Sequence, residues 1–374
     1  MTDQLRLEVV AVRHHRHRAP LLRPFVTAAR RTEAVEYVAV EVELGAPEGR
    51  SAIGQGTAAE TIAVTGEDAD SISAAVTEPI TSALAGAHGT IAELSVLVAR
   101  ALPGATSARA AVDVALHDAW AQVAGKPLVE LLGGQVESRI ESDMTVSLED
   151  PATMARHARE AADEGYRVLK IKLGRDVEED RRRLDAVLEA VPDARLRLDA
   201  NQGWDVEQAV AIMGRLQADG LPIDLVEQPV AAADLEGMAA VRREVGIPVM
   251  ADESVWNATD ARRIVEAGAA DMLNIKLAKT GGIREALAIA DVAHEAGLTC
   301  MVGAMMEPRI AITGAAHLAL AHPGITMVDL DSPDWFTTRV PHGGYVVEEG
   351  WLRLLGGPGL GLEQLRPDQD PPAP

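Results

Sequence analysis

Eight short apolar stretches recur along the second part of the chain, each followed by a longer amphipathic segment. No other feature restricts the fold as much. The stretches are Asp143–Leu148, Val168–Leu173, Arg195–Asp199, Asp224–Glu227, Pro248–Asp252, Met272–Lys276, Thr299–Gly303 and Thr326–Asp331. A polar residue stands at or near the end of the second to the sixth: Lys172, Asp199, Glu227, Asp252 and Lys276. The steps between them are 27, 28, 25 and 24 residues. Eight regular strand–helix units of this length predict a closed parallel barrel rather than an open doubly wound sheet. No Gly-x-Gly-x-x-Gly follows any of the strands, which counts against a dinucleotide-binding fold.

The first part of the chain has a different rhythm. Residues 1–65 alternate like antiparallel strands, in LRLEVVAV and EYVAVEVEL, with a Gly-containing turn region around Ile53–Thr57. The run RHHRHR (Arg13–Arg18) could suggest metal binding, but mixed Arg and His fits the solvated end of a strand better. From Asp68 to about Leu132 the pattern is helical. Ser107–Val123 has apolar residues at three-and-four spacing, and His117 and Asp118 within it read as helix-surface or packing residues. Gly133–Gly134 ends this region. The Gly- and Pro-rich end, Gly356–Pro374, is expected to be loose over its last ten or so residues.

A net charge of −22 argues against a phosphate-backbone partner. The single cysteine, Cys300, leaves no intramolecular disulfide and fits a reducing compartment. MTDQLRLEVV lacks the pattern of a signal peptide, and no apolar run reaches the ~20 residues that span a bilayer. A cytoplasmic protein with no membrane and no nucleic-acid partner is expected. Aromatic residues are only 3%, so the core must come from Ala, Val, Leu and Ile.

The strand ends carry the chemistry. In VLKIKLG, Leu169, Ile171 and Leu173 share one face, and Lys170 and Lys172 the other. Such lysines also occur on an exposed edge strand. Asp199, Glu227 and Asp252, however, end three consecutive strands, and a parallel barrel places its active site at that rim. A single Asp there often caps the next helix. Three carboxylates held together repel one another unless a cation neutralises them, and a hard oxygen-liganded ion, Mg²⁺, does so. Lys172 precedes the three acids and Lys276 follows them, so the two ammonium groups should flank the ion. One could remove a proton and the other deliver one. That requires a neutral lysine, and Lys170 beside Lys172 is expected to push lysine pKa values down. A Schiff-base lysine is the competing reading, although imine chemistry needs no metal.

The set LKIKLG, RLDANQGW, LVEQPV, MADESV and NIKLAKTGG resembles the enolase superfamily in its muconate-lactonizing-enzyme subgroup. RPFVTAAR and TIAVTGED resemble the two capping loops of that subgroup, and MVGAMMEPRI and MVDLDSP resemble its last two barrel strands. Such sites combine a Lys base with Mg²⁺. The resemblance implies an α/β fold in which a modified (β/α)8-type TIM barrel, (β/α)7β, spans about 134–345. An N-terminal α+β capping domain spans 1–133, with the C-terminal segment 346–374 packing back on it. Asp329 and Asp331, two apart on the eighth strand, resemble the acidic pair with which dipeptide epimerases hold the substrate ammonium. Arg30 resembles the capping-loop arginine of the Ala-Glu branch, and the resemblance adds Thr145 and Glu307 to the substrate-binding set. Gly56–Thr57 and Pro308–Arg309 depart from the family pattern, with a bearing on side-chain specificity.

The resulting expectation is a Mg²⁺-dependent dipeptide epimerase. One ion is held by Asp199, Glu227 and Asp252. Lys172 and Lys276 invert the C-terminal residue by 1,1-proton transfer through an enediolate, and Lys170 tunes Lys172. A homo-oligomer is expected. The alternatives are an N-acylamino acid racemase or o-succinylbenzoate synthase, and a catalytically silent barrel that acts as a binding protein.

Overall fold

The structure, a computed structural model, describes residues 4–26, 31–174, 176–338 and 340–365. An antiparallel sheet comes first. It contains β1 (Leu7–Val26), β2 (Arg31–Gly45), β3 (Ser51–Ala59) and the two-residue β4 (His88–Gly89), in the order β3-β2-β1-β4. Alternation decides its faces: Val38, Val40, Val42 and Leu44 of β2 are all buried. The Arg13–Arg18 run lies in the middle of β1 and not at a strand end, because β1 continues to Val26. Since β4 pairs only with Leu7 and Glu8, this run forms an open edge. Its charges meet acids across the ladder, Arg13 with Glu43 and Arg16 with Glu36, each at 2.8 Å. His17 stacks on Tyr37.

The alanine-rich helix Thr106–Ala124 is buried on almost every side and not on one face alone as its three-and-four spacing suggests, its polar Arg109, Asp113, His117 and Asp118 included. It lies against β3 through two glycines. A Cβ on Gly56 would lie 1.9 Å from the Ala111 carbonyl oxygen, and one on Gly54 2.1 Å from that of Ala115. His117 and Asp118 are both buried packing residues. The Asp118 carboxylate accepts from Gln55 N and Leu360 N, each at 2.8 Å, and so ties the cap to the C-terminal segment.

After β5 (Arg139–Glu141) come eight parallel strands in sequential order. They are β6 (Met144–Val146), β7 (Val168–Lys172), β8 (Arg195–Asp199), β9 (Ile223–Glu227), β10 (Val249–Ala251), β11 (Met272–Lys276), β12 (Thr299–Gly303) and β13 (Ile325–Asp329). All eight lie where the sequence rhythm places them. β6 and β10 are shorter than expected, and Asp331 falls beyond the end of β13. Each of the first seven strands is followed by a helix, and β13 by a 3-10 turn, Ser332–Trp335, which gives (β/α)7β. Many of the polar residues between strand and helix are caps: the side chains of Asp150, Asp176, Asp205, Asp234 and Asn257 accept from the first turn of the following helix.

Between β6 and β13 the barrel closes by a single parallel bridge, Ser142 to Val328. Buried Arg197 fastens this seam, donating to Asp143 Oδ2 at 2.8 Å and to the Val328 carbonyl at 3.1 Å. The floor below the site departs from the expected aliphatic core: Leu225 packs with Met250 and Met301, and Met272 and Met327 close around them. The hairpin of β14 (Tyr345–Glu348) and β15 (Trp351–Leu354) pairs with β5 at the N-terminal end of the barrel. The C-terminal segment therefore reaches the cap only beyond the hairpin, from Gly359 and Leu360 on to Leu365, whose N donates to Gln55 Oε1 at 2.6 Å. Most of the stretch expected to be loose lies outside the described residues. Among those described, no helix is long and apolar enough to cross a membrane.

Candidate active site

The C-terminal ends of the barrel strands open into a cavity of about 460 Å³. Lys170, Lys172, Asp252, Lys276, Asp329 and Asp331 all line it. Strand register brings them together. Lys172 pairs with Asp199, Asp199 with Glu227, and Gly303, beside Lys276, with Asp329. β7 is an interior strand buried on both faces, so Lys170 and Lys172 are not the lysines of an exposed edge. In the strand order β7 and β11 are four places apart, so Lys172 and Lys276 stand on opposite sides of the eight-stranded barrel.

Ammonium groups sit between the acids. Lys170 Nζ lies 2.7 Å from Glu227 Oε2, 2.7 Å from Asp329 Oδ2 and 3.2 Å from Asp199 Oδ2. Lys172 Nζ is 2.5 Å from Asp199 Oδ2, and Lys276 Nζ is 2.7 Å from Asp252 Oδ2. Burial opposes charge at each of these groups, and the neighbours decide the outcome. Lys172 and Lys170 hold Asp199 down at about 2 despite its burial. Lys276 and Lys279 hold Asp252 well below the carboxylate range. Burial and the Asp199 charge push Glu227 up. Lys170 and Lys276 are raised, contrary to the expectation from a lysine neighbour. Burial lowers both, and Lys170 also lowers Lys276, but Asp329, Glu227 and Asp199 around Lys170, and Asp252 and Glu227 beside Lys276, outweigh them.

The three acids are all-oxygen donors on adjacent strand ends, the chemistry a hard divalent cation requires. Glu227 Oε2 is buried and accepts no hydrogen bond of good geometry, although Lys170 lies near it. Among the described residues no three acidic, His or Cys side chains form a ready metal cluster. Asp199 Oδ2, Glu227 Oε2 and Asp252 Oδ2 are each turned to a lysine, so the acids match such an ion in donor type and in their adjacent strand ends, with ammonium groups between them.

The remaining expected site residues separate into groups. Asp331 Oδ2 accepts from Thr145 N at 2.7 Å and from Trp335 Nε1 at 3.4 Å, and burial beside Asp329 pushes its pKa up to about 6. Asp329 stays below the usual range, because Lys170 outweighs its burial. Thr145 lines the cavity. Glu307 is buried behind the wall, accepts from Met305 N at 3.1 Å and is raised to about 7 by burial. Arg30 lies outside the described residues. From the two capping loops, Phe25, Ala63 and Val64 reach the cavity, facing Met305 and Met306. Thr57 and Arg309, the departures from the family pattern, do not line it. The Thr57 hydroxyl accepts from Ala311 N, and the Arg309 guanidinium donates to the carbonyls of Gly343 and Tyr345.

Sequence reasoning passed over Lys279, Asn274 and Glu253. Lys279 stands three residues after Lys276 in NIKLAK, on the short helix Leu277–Thr280 that follows β11 directly. Its buried ammonium contacts Asp252 Oδ1 at 2.5 Å. Asn274 donates to Glu227 Oε1 at 2.9 Å, and two-residue alternation from Lys276 was its signal. Glu253 lines the cavity, and burial and the Asp252 charge raise it to about 7.

Comparison with known proteins gives the family. A curated L-Ala-D/L-Glu epimerase of Clostridium acetobutylicum is 40% identical over 348 residues, 92% of this chain and 95% of that protein. An N-succinyl-L-Arg/Lys racemase of Bacillus cereus is 34% identical over 360 residues, 96% of this chain and 95% of that protein. The crystal structure of a dipeptide epimerase from Enterococcus faecalis, complexed with Mg and the dipeptide L-Leu-L-Tyr, superposes with a TM-score of 0.88 at 37% identity, covering 96% of this chain and all of that one. Residues 9–133 match the mandelate racemase / muconate lactonizing enzyme N-terminal domain, and residues 153–368 the enolase C-terminal domain-like family. By sequence, fold and site, then, the chain belongs to the mandelate racemase / muconate lactonizing enzymes of the enolase superfamily.

Proposed function

We propose that the protein is a Mg²⁺-dependent dipeptide epimerase, an isomerase that inverts the α-carbon of the C-terminal residue of its substrate. The observation that carries this reading is the pair of lysines, Lys172 and Lys276, on opposite sides of one cavity with three carboxylates on the strands between them. Asp199, Glu227 and Asp252 would hold the ion. When bound, Mg²⁺ supplies positive charge beside the substrate carboxylate, which makes the neighbouring C–H more acidic. Lys172 and Lys276 act on opposite faces of the α-carbon: one, neutral, takes the proton, and the other, as ammonium, gives one back, so the centre inverts. Lys170, bound by three carboxylates, remains an ammonium and serves as a fixed cation rather than a base. Asp329 and Asp331 receive the substrate ammonium. Asp331 does so through Oδ1, since Thr145 N and Trp335 occupy Oδ2. The relatives named above as epimerases support this reading. The relative named as an N-succinyl amino acid racemase supports the same proton chemistry on an acylated substrate.

The test is incubation in heavy water with Mg²⁺ and either a panel of dipeptides or their N-succinyl counterparts, read by mass and chiral chromatography. Deuterium at the C-terminal α-carbon with inversion of a dipeptide is expected, and chelation should stop it. Inversion of the N-succinyl compounds alone would replace the dipeptide reading with the racemase. Exchange on neither set would leave the barrel a binding protein.

A further inference from the structure

The three carboxylates have one property in common: each has one oxygen fixed by a donor of the protein and the other turned to a lysine beside it. Asp199 Oδ1 accepts from Asn201 N at 2.9 Å, while Oδ2 faces Lys172. Glu227 Oε1 accepts from Asn274 Nδ2 at 2.9 Å, while Oε2 faces Lys170. Asp252 Oδ1 accepts from Lys279, while Oδ2 faces Lys276. Lys276 lines the cavity and Lys279 does not, so Oδ2 is the Asp252 oxygen on the cavity side.

Lys279 is the strongest of these clamps. It is 1% exposed. Its Nζ has three oxygen partners: Asp252 Oδ1, the Asp252 carbonyl, and the Asn274 carbonyl at 3.1 Å. Three acceptors match three ammonium protons. The helical turn that carries it is itself anchored to the cap, where Asp113 Oδ2 accepts from Ile283 N at 2.7 Å and Arg109 donates to the Thr280 carbonyl. Asp252 cannot rotate to present both oxygens without breaking a buried charged hydrogen bond.

We propose that Lys279, with Asn274, is a positioning residue that limits Asp252 and Glu227 to one oxygen each toward a divalent cation, and so makes the site prefer Mg²⁺ to Ca²⁺. Mg²⁺ requires a compact octahedron, and one oxygen from each of three carboxylates leaves room in it for other oxygen ligands. Ca²⁺ takes six to eight oxygens and readily uses both oxygens of a carboxylate, which the clamps deny it. The inference rests on the metal reading proposed above.

The test measures Mg²⁺ and Ca²⁺ dissociation constants by calorimetry for the full chain, for Lys279→Met and for Asn274→Leu. Removing the Lys279 charge alters the attraction for both dications alike, so that effect cancels in the ratio of the two constants, and denticity alone remains. In wild type Mg²⁺ should bind more tightly. In Lys279→Met the preference should move toward Ca²⁺ by about tenfold or more, within the range that outer-shell partners commonly contribute. Asn274→Leu should move it the same way, and it serves alone if Lys279→Met does not fold. A folded variant whose ratio stays within about twofold of wild type overturns the inference while leaving the metal reading in place. Wild type that takes up neither ion overturns both.

Discussion

Replacing Lys170 with Met should expose how the acids are held when no metal is present. Lys170 is 1% exposed, and its ammonium contacts Asp199, Glu227 and Asp329. Met keeps most of the volume and removes the charge. Breaking a buried ion pair costs about 3–5 kcal/mol, because the charge left behind is not compensated. Here Asp199 keeps Lys172 and Glu227 keeps Asn274, whereas Asp329 loses its 2.7 Å ammonium contact. The low end, about 3 kcal/mol, is therefore expected, and in a barrel of this size that lowers Tm by about 6–12 °C. The loss should depend on pH. In wild type Asp329 is held below its unfolded pKa, so its contribution is present at neutral pH. In the variant, burial without Lys170 should carry the Asp329 pKa above the unfolded value. The deficit is then full at pH 8 and shrinks as acid protonates the group. Calorimetry in chelator at pH 8 and pH 5.5 measures both effects. A loss below about 1 kcal/mol at pH 8, or one equal at the two pH values, would refute the assignment of Lys170 as the cation of this cluster.

Other substitutions test other links. Lys172→Ala and Lys276→Ala should each lose epimerisation by about 10²–10⁴-fold or more, while the remaining lysine still exchanges the α-proton of one epimer; near wild-type inversion in either variant would rule out the two-base assignment. Asp331→Asn should raise KM for dipeptides by about 10–100-fold, the loss of a charged hydrogen bond, and affect N-succinyl analogues far less; steady-state kinetics on both substrates compares them. Gly282 has φ +131°, and a Cβ there would lie 2.4 Å from Asp113 Oδ2, so Gly282→Ala should destabilise the protein by about 2 kcal/mol or more in urea unfolding. His317 is buried, accepts from Val129 N at 2.9 Å and is lowered to about 4. It therefore contributes stability above its unfolded pKa near 6.5 that is lost as pH falls toward 4. His317→Gln should flatten Tm against pH across that window.

The eight strands, their order and the face on which Lys170, Lys172, Asp199, Glu227 and Lys276 fall were legible from the chain alone. Period-two alternation and a repeat near 26 residues are local properties, and a parallel barrel follows from them because its strands pair in sequence order. The Asp caps in the loops are local in the same way. What the alternation left open was the partner of each oxygen. Lys170 reads as a neighbour of Lys172 that lowers lysine pKa values. In the folded chain it is raised, because strand register and barrel closure put Asp329, 159 residues away, within 2.7 Å of it. Lys279 has no local signal that marks it, and only the packing of its turn between Asp252 and the cap helix makes it a buried clamp. Thr57 and Arg309 stand out as departures from the family pattern, and only the folded chain shows their polar atoms paired with Ala311 N and with the Gly343 and Tyr345 carbonyls. The residue types that can carry proton transfer and hold a cation are given by sequence. Which oxygen each acid can offer is set by contacts between strands and helices distant in the chain, and no local periodicity encodes those contacts.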